Sequence, residues 1–311
     1  MSSAKAVVTG ATNGIGEAIA RRLAGEGLTV VLVGRDWGRL RAAQQRIHAT
    51  VPDADLALER VDFADLGEVR ELAERLIAVP PPDVVVSNAA LVSPLERRTP
   101  QGLPRVLAVN HLAPYLLLRA LAEALAGRRA RFVVVGADPV SLARAPVDLD
   151  DLLFAHPERL GEPVELRPFR AYGCTKNMNA MFVFALARRL AGTRITVNGA
   201  HPGIIGGTGL GSEVPGIGAL VAESYGLDLG AFPGPDVGAD TPVWLATSPD
   251  VEGVSGRFFV ARRAVGTAPH TTDVERCDRL WDVSARLVGL PAGLGLRAPT
   301  PRFPLRSAAG R

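Results

Sequence analysis

Short runs of β-branched residues alternate along this chain with longer stretches of helical period. AVV (6–8) reads as a strand that enters a glycine-rich turn, and IGEAIARRLAGEG then reads as a helix ending near Gly27. TVVLV (29–33) predicts a second strand and RLRAAQQRIHA a second helix; LALERV (56–61) predicts a third strand, with a helix over 65–78. DVVVSNA (83–89), entered through three prolines at 80–82, is a fourth strand before a helix over 102–126. RFVVVG (131–136) is a fifth, followed by a helix over 170–191, a strand at RITVNGA (194–200), a helix over 236–247, a strand at RFFVA (257–261) and a helix over 272–289. Strands that are apolar throughout, separated by helices of ten residues or more, need cover on both faces. That pattern specifies a parallel sheet between two helical layers. Right-handed crossovers then make it a doubly wound α/β fold.

The pattern lapses in three places. Residues 138–169 are rich in Pro, Asp and Arg and read as an insertion. Residues 202–235 are dense in glycine without strong periodicity, and a connection that long inside a compact fold is functional or a sign of misassignment; it reads as a mobile substrate loop. From Pro291 the composition turns to Pro, Gly and Arg, which reads as a flexible tail behind one domain over 1–290. No internal repeat is visible.

Composition narrows the class. Hydrophobic residues make up 47% of the 311 and charged ones 22%, enough for a sizeable core. The formal charge is only +3, with Lys and Arg interspersed among Asp and Glu, so a solvated mixed surface is expected rather than a nucleic-acid partner. Two cysteines, Cys174 and Cys277, do not make a disulfide framework, and a reducing cytoplasm is expected. No signal peptide or continuous apolar span is seen, so no membrane span is expected.

The first turn, TGATNGIG, places Gly10, Thr12, Asn13, Gly14, Ile15 and Gly16 between a strand and a helix. Glycines there let backbone approach a pyrophosphate, and the helix N-terminus offers free N–H groups and partial positive charge. In that context the motif predicts a Rossmann dinucleotide site. The second strand ends in Gly34-Arg35-Asp36. An acidic residue there suits the ribose hydroxyls of NAD, whereas Arg35 suits the 2′-phosphate of NADP, so NADP(H) is favoured over NAD(H). Asp62, with Phe63 beside it, is placed for the adenine, although Asp62 also suits a helix cap, a role that Asp65 fills better. His111 and His201 lack metal-ligand partners at suitable spacing and read as structural; no metal is expected. Cys174 reads as a small buried residue.

With these residues assembled, the chain resembles the short-chain dehydrogenase/reductase family over about residues 5–290. T-G-x-x-x-G-x-G opens the fold, Ser87-Asn88-Ala89-Ala90 stands at the family's N-N-A-G motif, and Tyr172 and Lys176 form its Y-x-x-x-K pair. VNHLAPYLL, VDLDDL and the C-terminal ERCDRLWDVSARLVGLP are similar to retinol dehydrogenases, and "SNAA" to protochlorophyllide reductases. The resemblance implies a catalytic set of Tyr172, Lys176 and Asn110, with Asn110 holding a water that relays protons. It also implies cofactor contacts from Asn88, Ala89, Pro202, Gly203 and Thr208. Tyr172 would act as general acid/base, its phenol brought toward the working pH by the Lys176 ammonium and an oxidised nicotinamide.

Three departures stand out. Gly136 and Ala137 occupy the place of the family's V-S-S serines, so the usual hydroxyl on the substrate oxygen is missing; Ser141, Asp138 and Ser87 are candidates to replace it. Ala90 replaces a glycine, and Gly207-Thr208 is shifted by one residue. The expected activity is hydride transfer to or from a ketone, alcohol or activated C=C of a lipophilic or polycyclic substrate, possible in bacterial biosynthesis. A non-redox cyclase, isomerase or lyase on the same fold, or a catalytically silent cofactor-binding protein, stays open. The resemblance further implies a homodimer or homotetramer through the helices at 102–126 and 170–191.

Overall fold

A computed structural model describes residues 3–78, 80–140 and 146–296 of the chain. Eight strands form one sheet in the order β3-β2-β1-β4-β5-β6-β7-β8. They are β1 (Lys5–Thr9), β2 (Thr29–Gly34), β3 (Leu56–Arg60), β4 (Val84–Ser87), β5 (Ala130–Val135), β6 (Ile195–His201), β7 (Phe258–Val260) and β8 (Arg263–Val265). Every pairing is parallel except the last, an antiparallel hairpin of β8 on β7.

Side chains alternate across each strand, so an all-apolar strand feeds two cores at once. Val7, Val31, Val85, Phe132 and Val197 belong to one core, and Ala6, Val8, Val30, Leu32 and Val86 to the other. The second core is closed by α1 (Gly14–Gly25), α2 (Trp37–Thr50) and later α8 (Pro235–Thr247). The first lies under α3 (Leu66–Ala78), α5 (Ala113–Ala124), α6 (Arg167–Arg189) and α10 (Val274–Leu287). The sequence of helices is completed by α4 (Arg105–Leu107), α7 (Ile217–Tyr225) and α9 (Pro269–Thr272).

Several expected elements take a different form. The helix expected over 102–126 starts at Arg105 and loosens into a π-turn over Ala108–Leu112 before α5 begins. The fourth strand ends at Ser87, because the amides of Asn88 and Ala89 both turn to the Thr9 hydroxyl at 3.0 Å. β8 was not expected: its turn is Ala261-Arg262, two non-glycine residues at φ 47° and 61°, where hairpins favour Asn or Gly. The segment 202–235 is not structureless: it holds α7 and a short 3₁₀ turn at Leu229–Ala231. Gly216 and Gly226 flank α7 with φ of 80° and 64°, so the glycines punctuate a helix rather than exclude one.

Residues 291–296, expected as the start of a flexible tail, are pinned. Arg119 on α5 donates to the carbonyls of Pro291 (3.0 Å) and Gly293 (2.7 Å), and the Trp281 indole donates to Ala292 (2.7 Å). Leu294 and Leu296 pack on the core. The two helices expected to form a subunit interface are partly covered within the chain itself. Residues 174–183 of α6 and 113–119 of α5 are buried without a break. α10 covers α6, with Asp278 between Arg188 and Arg189.

Candidate active site

The site begins where β1 turns into α1. Gly10 has φ 68°, and a Cβ there would lie 2.9 Å from the Ala89 Cα; at Gly16 it would lie 2.2 Å from the Gly10 carbonyl. Only glycine admits both the turn and the close packing of helix on strand. Asn13 stands at the N-cap, but its side chain makes no bond to the helix. The amides of the first turn, at Gly14, Ile15 and Gly16, are therefore not taken by a side-chain cap and have the helix dipole behind them, an arrangement that suits an anion. Asn88 ties the neighbouring strand ends together, its Nδ2 donating to the Thr9 carbonyl at 3.1 Å.

A cavity of about 570 Å³ runs from this turn along the C-terminal ends of the strands. It brings together Gly10, Thr12, Asn13, Gly14, Ile15, Gly16, Arg35, Asp62, Phe63, Asn88, Ala89, Tyr172, Lys176, Pro202 and Thr208. Gly203, at φ 91°, turns the chain behind Pro202 and is not in the wall. Arg39, Leu91, Arg105 and Glu213 also line the cavity and were not anticipated. Arg39 had a legible signal, four residues after Arg35; Leu91 and Glu213 are brought in by loops whose course periodicity does not encode, and Arg105 by the start of α4.

The polar groups at the β2 end are largely engaged. Asp36 caps α2 by accepting from the Arg39 amide at 2.8 Å, which leaves the ribose end to Arg35. Arg35 Nη1 donates to Glu213 Oε1 at 2.9 Å. Asp62 accepts from the Ala64 amide at 2.9 Å and faces Arg105 at 4.0 Å, while Asp65 takes the cap of α3 through the Gly67 amide.

At the other end stand Tyr172 and Lys176, on one face of α6. Lys176 is 3% exposed; its Nζ donates to the Val135 carbonyl at 2.9 Å and lies 5.6 Å from the centroid of the Tyr172 ring. Burial lowers the lysine to a pKa of about 8. Burial also pushes the Tyr172 phenol well above its ordinary value. The lowering of the phenol expected from its neighbour is therefore not what the protein's own field produces: desolvation dominates. Phe169 stacks on the Tyr172 ring at 5.7 Å, and Val92, Leu166, Leu210, Val214, Ile217 and Leu220 complete an apolar cluster around them.

Asn110 lies in the π-turn, fully buried and outside the cavity wall. Its Oδ1 accepts from the Leu91 amide, and its Nδ2 donates to the Leu91 carbonyl and the Thr175 hydroxyl, all within 3.0 Å. Its own carbonyl accepts from Asn179 Nδ2 at 2.8 Å. These bonds fasten the β4 loop to α6 one residue from Lys176. Gly136 reaches the cavity, whereas Ala137 packs against the Ala180–Phe258 patch; Ser141 lies outside the described residues. Asp138 accepts from the Val140 amide, and Ser87 is buried at the strand end.

His111 is buried between Asn179 and Ser284, and burial takes it down to a pKa of about 4, so it stays neutral. Burial lowers His201 too, and its Nδ1 is buried with no hydrogen-bond partner. Cys174 is pushed up to about 11 by burial, which disfavours the thiolate. Among the described residues no group of three His, Cys, Asp or Glu side chains is placed to hold a metal ion, and no helix is long and apolar enough to cross a membrane.

Comparison with known proteins gives the chain's relatives. The family model for short chain dehydrogenase matches residues 4–139. A Streptomyces sp. (strain C5) protein with the provisional name daunorubicin C-13 ketoreductase DnrU is 37% identical over 284 residues, covering 91% of this chain and 92% of its own. Retinol dehydrogenase 14 of Homo sapiens is 32% identical over 300 residues, covering 91% and 86%. An uncharacterised Mycobacterium paratuberculosis protein of known structure shares the fold with a TM-score of 0.72 at 24% identity, over 94% of this chain and 96% of that one.

Proposed function

The chain belongs to the short-chain dehydrogenase family, and from that premise we propose that it is an NADP(H)-dependent oxidoreductase moving a hydride to or from the carbonyl or carbinol carbon of a lipophilic substrate. The observation that carries this reading is the position of Tyr172 between two unlike surroundings. On one side is the glycine-lined cavity that starts at the uncapped amides of α1 and ends at Lys176. On the other is the apolar cluster of Phe169, Leu210, Val214, Ile217 and Leu220.

The residues present fit a nicotinamide dinucleotide. Amides at Gly14, Ile15 and Gly16 would hold the pyrophosphate, Asp62 and Phe63 the adenine, Arg35 the 2′-phosphate, and Lys176 the nicotinamide ribose. When bound, the nicotinamide supplies or accepts the hydride, and its oxidised ring carries a charge that opposes the burial raising the phenol. Tyr172 Oη gives a proton to the substrate oxygen during reduction and takes it back during oxidation. Raised by burial, the phenol is an acid that stays protonated until an oxyanion develops beside it. Asn110 acts at one remove, holding Thr175 and hence the α6 turn that carries Lys176. Ala137 stands where the family has its serine and packs outside the cavity wall, so on this reading Tyr172 is, among the described residues, the donor to the substrate oxygen. The names of the two curated relatives, a ketoreductase and a retinol dehydrogenase, support an apolar ketone or alcohol.

Purified protein given NADPH and a panel of linear and polycyclic ketones is expected to consume the absorbance of the reduced nicotinamide. Tyr172→Phe should lower kcat by about 10²–10⁴-fold while dinucleotide binding persists. Product formed without NADPH oxidation, or turnover indifferent to Tyr172→Phe, would overturn the reading.

A further inference from the structure

The cavity wall at the end of β2 is completed by a residue 178 positions further along the chain. Glu213 Oε1 accepts from Arg35 Nη1 at 2.9 Å, and Oε2 accepts from Arg105 Nε at 3.2 Å. The Glu213 and Arg105 side chains are 12% and 15% exposed, whereas Arg35 is 45% exposed. Burial pulls the carboxyl upward, but Arg35 and Arg105 outweigh it and hold the group below the usual carboxylate range. Glu213 is thus an anion at neutral pH. Its segment is seated along its length: Thr208 lies over Gly14, within 3.6 Å of a Cβ built there, and the Leu210 carbonyl accepts from the Val92 amide at 3.0 Å. The chain from 208 to 213 therefore crosses from the glycine turn to the end of β2, and Glu213 pins its far end.

We propose that Glu213 sets the choice of dinucleotide by competing with a 2′-phosphate for Arg35. The proposal rests on the reading of Arg35 as the phosphate partner. With Arg35 Nη1 held by Glu213, a phosphate dianion must share the guanidinium's donors with a carboxylate and cannot have them in full. A 2′-phosphate arriving at Arg35 meets the Glu213 charge beside it, and like charges brought together disfavour binding. The carboxylate can yield because Arg105 still holds it, with the far end of the 208–213 segment then released from β2. A 2′-hydroxyl meets no such conflict: carboxylate oxygens have lone pairs to accept from it while keeping both arginines. Arg39 lines the same wall and makes no ion pair among the described residues, so it adds positive charge that Glu213 does not neutralise.

The test uses 2′,5′-ADP and 5′-AMP, which differ only in the 2′-phosphate, titrated calorimetrically into wild-type protein, Glu213→Gln, Arg35→Ala and the double variant. Glu213→Gln is expected to bind 2′,5′-ADP roughly three- to tenfold tighter, with 5′-AMP unchanged or weaker. With Arg35→Ala in the background that gain should vanish. Glu213→Asp keeps the charge and should discriminate like wild type, which separates charge from a loosened fold. If Arg35→Ala weakens 2′,5′-ADP but Glu213→Gln leaves it unchanged, or shifts both probes together, the competition is refuted and the Arg35 reading stands. If Arg35→Ala does not affect 2′,5′-ADP, the phosphate reading of Arg35 falls and takes this proposal with it.

Discussion

Lys176 meets two opposing demands. The proposed chemistry wants an ammonium beside Tyr172, yet the side chain is 3% exposed and its Nζ donates to the neutral carbonyl of Val135. Burial therefore draws its pKa from 10.5 to about 8. Below that value the lysine is charged, and above it neutral. Ketone reduction is expected to decline as pH rises through about 8, a limb that Lys176→Met should lack. Stability moves the opposite way. Between about 8 and 10.5 the unfolded chain holds a proton that the folded chain has lost, so folding gains as pH rises. Relative to Lys176→Met, urea unfolding of the wild type should gain on the order of 2 kcal/mol between those limits. A flat difference would show that the lysine is not desolvated as described. The four-residue spacing of Tyr172 and Lys176 was visible in the sequence; the direction of both shifts was not, because desolvation depends on what tertiary packing lays over the pair.

Among the elements, α10 and the residues after it close over the helical layer. Trp281 is 1% exposed, with its ring 5.0 Å from Tyr115 and 6.0 Å from Phe182, and the Arg119 and Arg189 guanidinium carbons lie at 4.8 and 4.2 Å. Its indole N–H also holds the Ala292 carbonyl. Trp281→Ala is expected to cost about 3–5 kcal/mol of unfolding free energy, measured by urea titration, through the cavity and the lost contacts. A cost under about 1 kcal/mol would show that this packing is not formed. The helical period of α10 was legible, as was the apolar period of α1 and α3. The seat of residues 291–296 was not: a Pro/Gly/Arg composition reads as flexible, and what orders it is Arg119, which donates from a distant helix. α7 was hidden for a related reason, since the glycines at 216 and 226 that end it also depress any local helical signal.

At the scale of the whole molecule, the same strap bears on assembly. The resemblance implied a dimer or tetramer through the helices at 102–126 and 170–191, whereas residues 113–119 and 174–183 are buried within one chain. Light scattering behind size exclusion is expected to give the monomer mass of 32.7 kDa; a stable species of twice that mass would require another surface. The alternation of β-branched runs and helical period, the TGATNGIG turn and the Tyr172–Lys176 spacing were each determined by the sequence alone. All three rest on local periodicity and on the backbone freedom of glycine, which neighbours in the chain decide. Only the tertiary structure decided that Glu213 meets Arg35, that Ala137 turns toward Phe258 and leaves Gly136 at the cavity, and that residues 291–296 close over α5. Those contacts join residues far apart in sequence, and their partners are chosen by how crossovers and burial bring separate elements together, which no local pattern records.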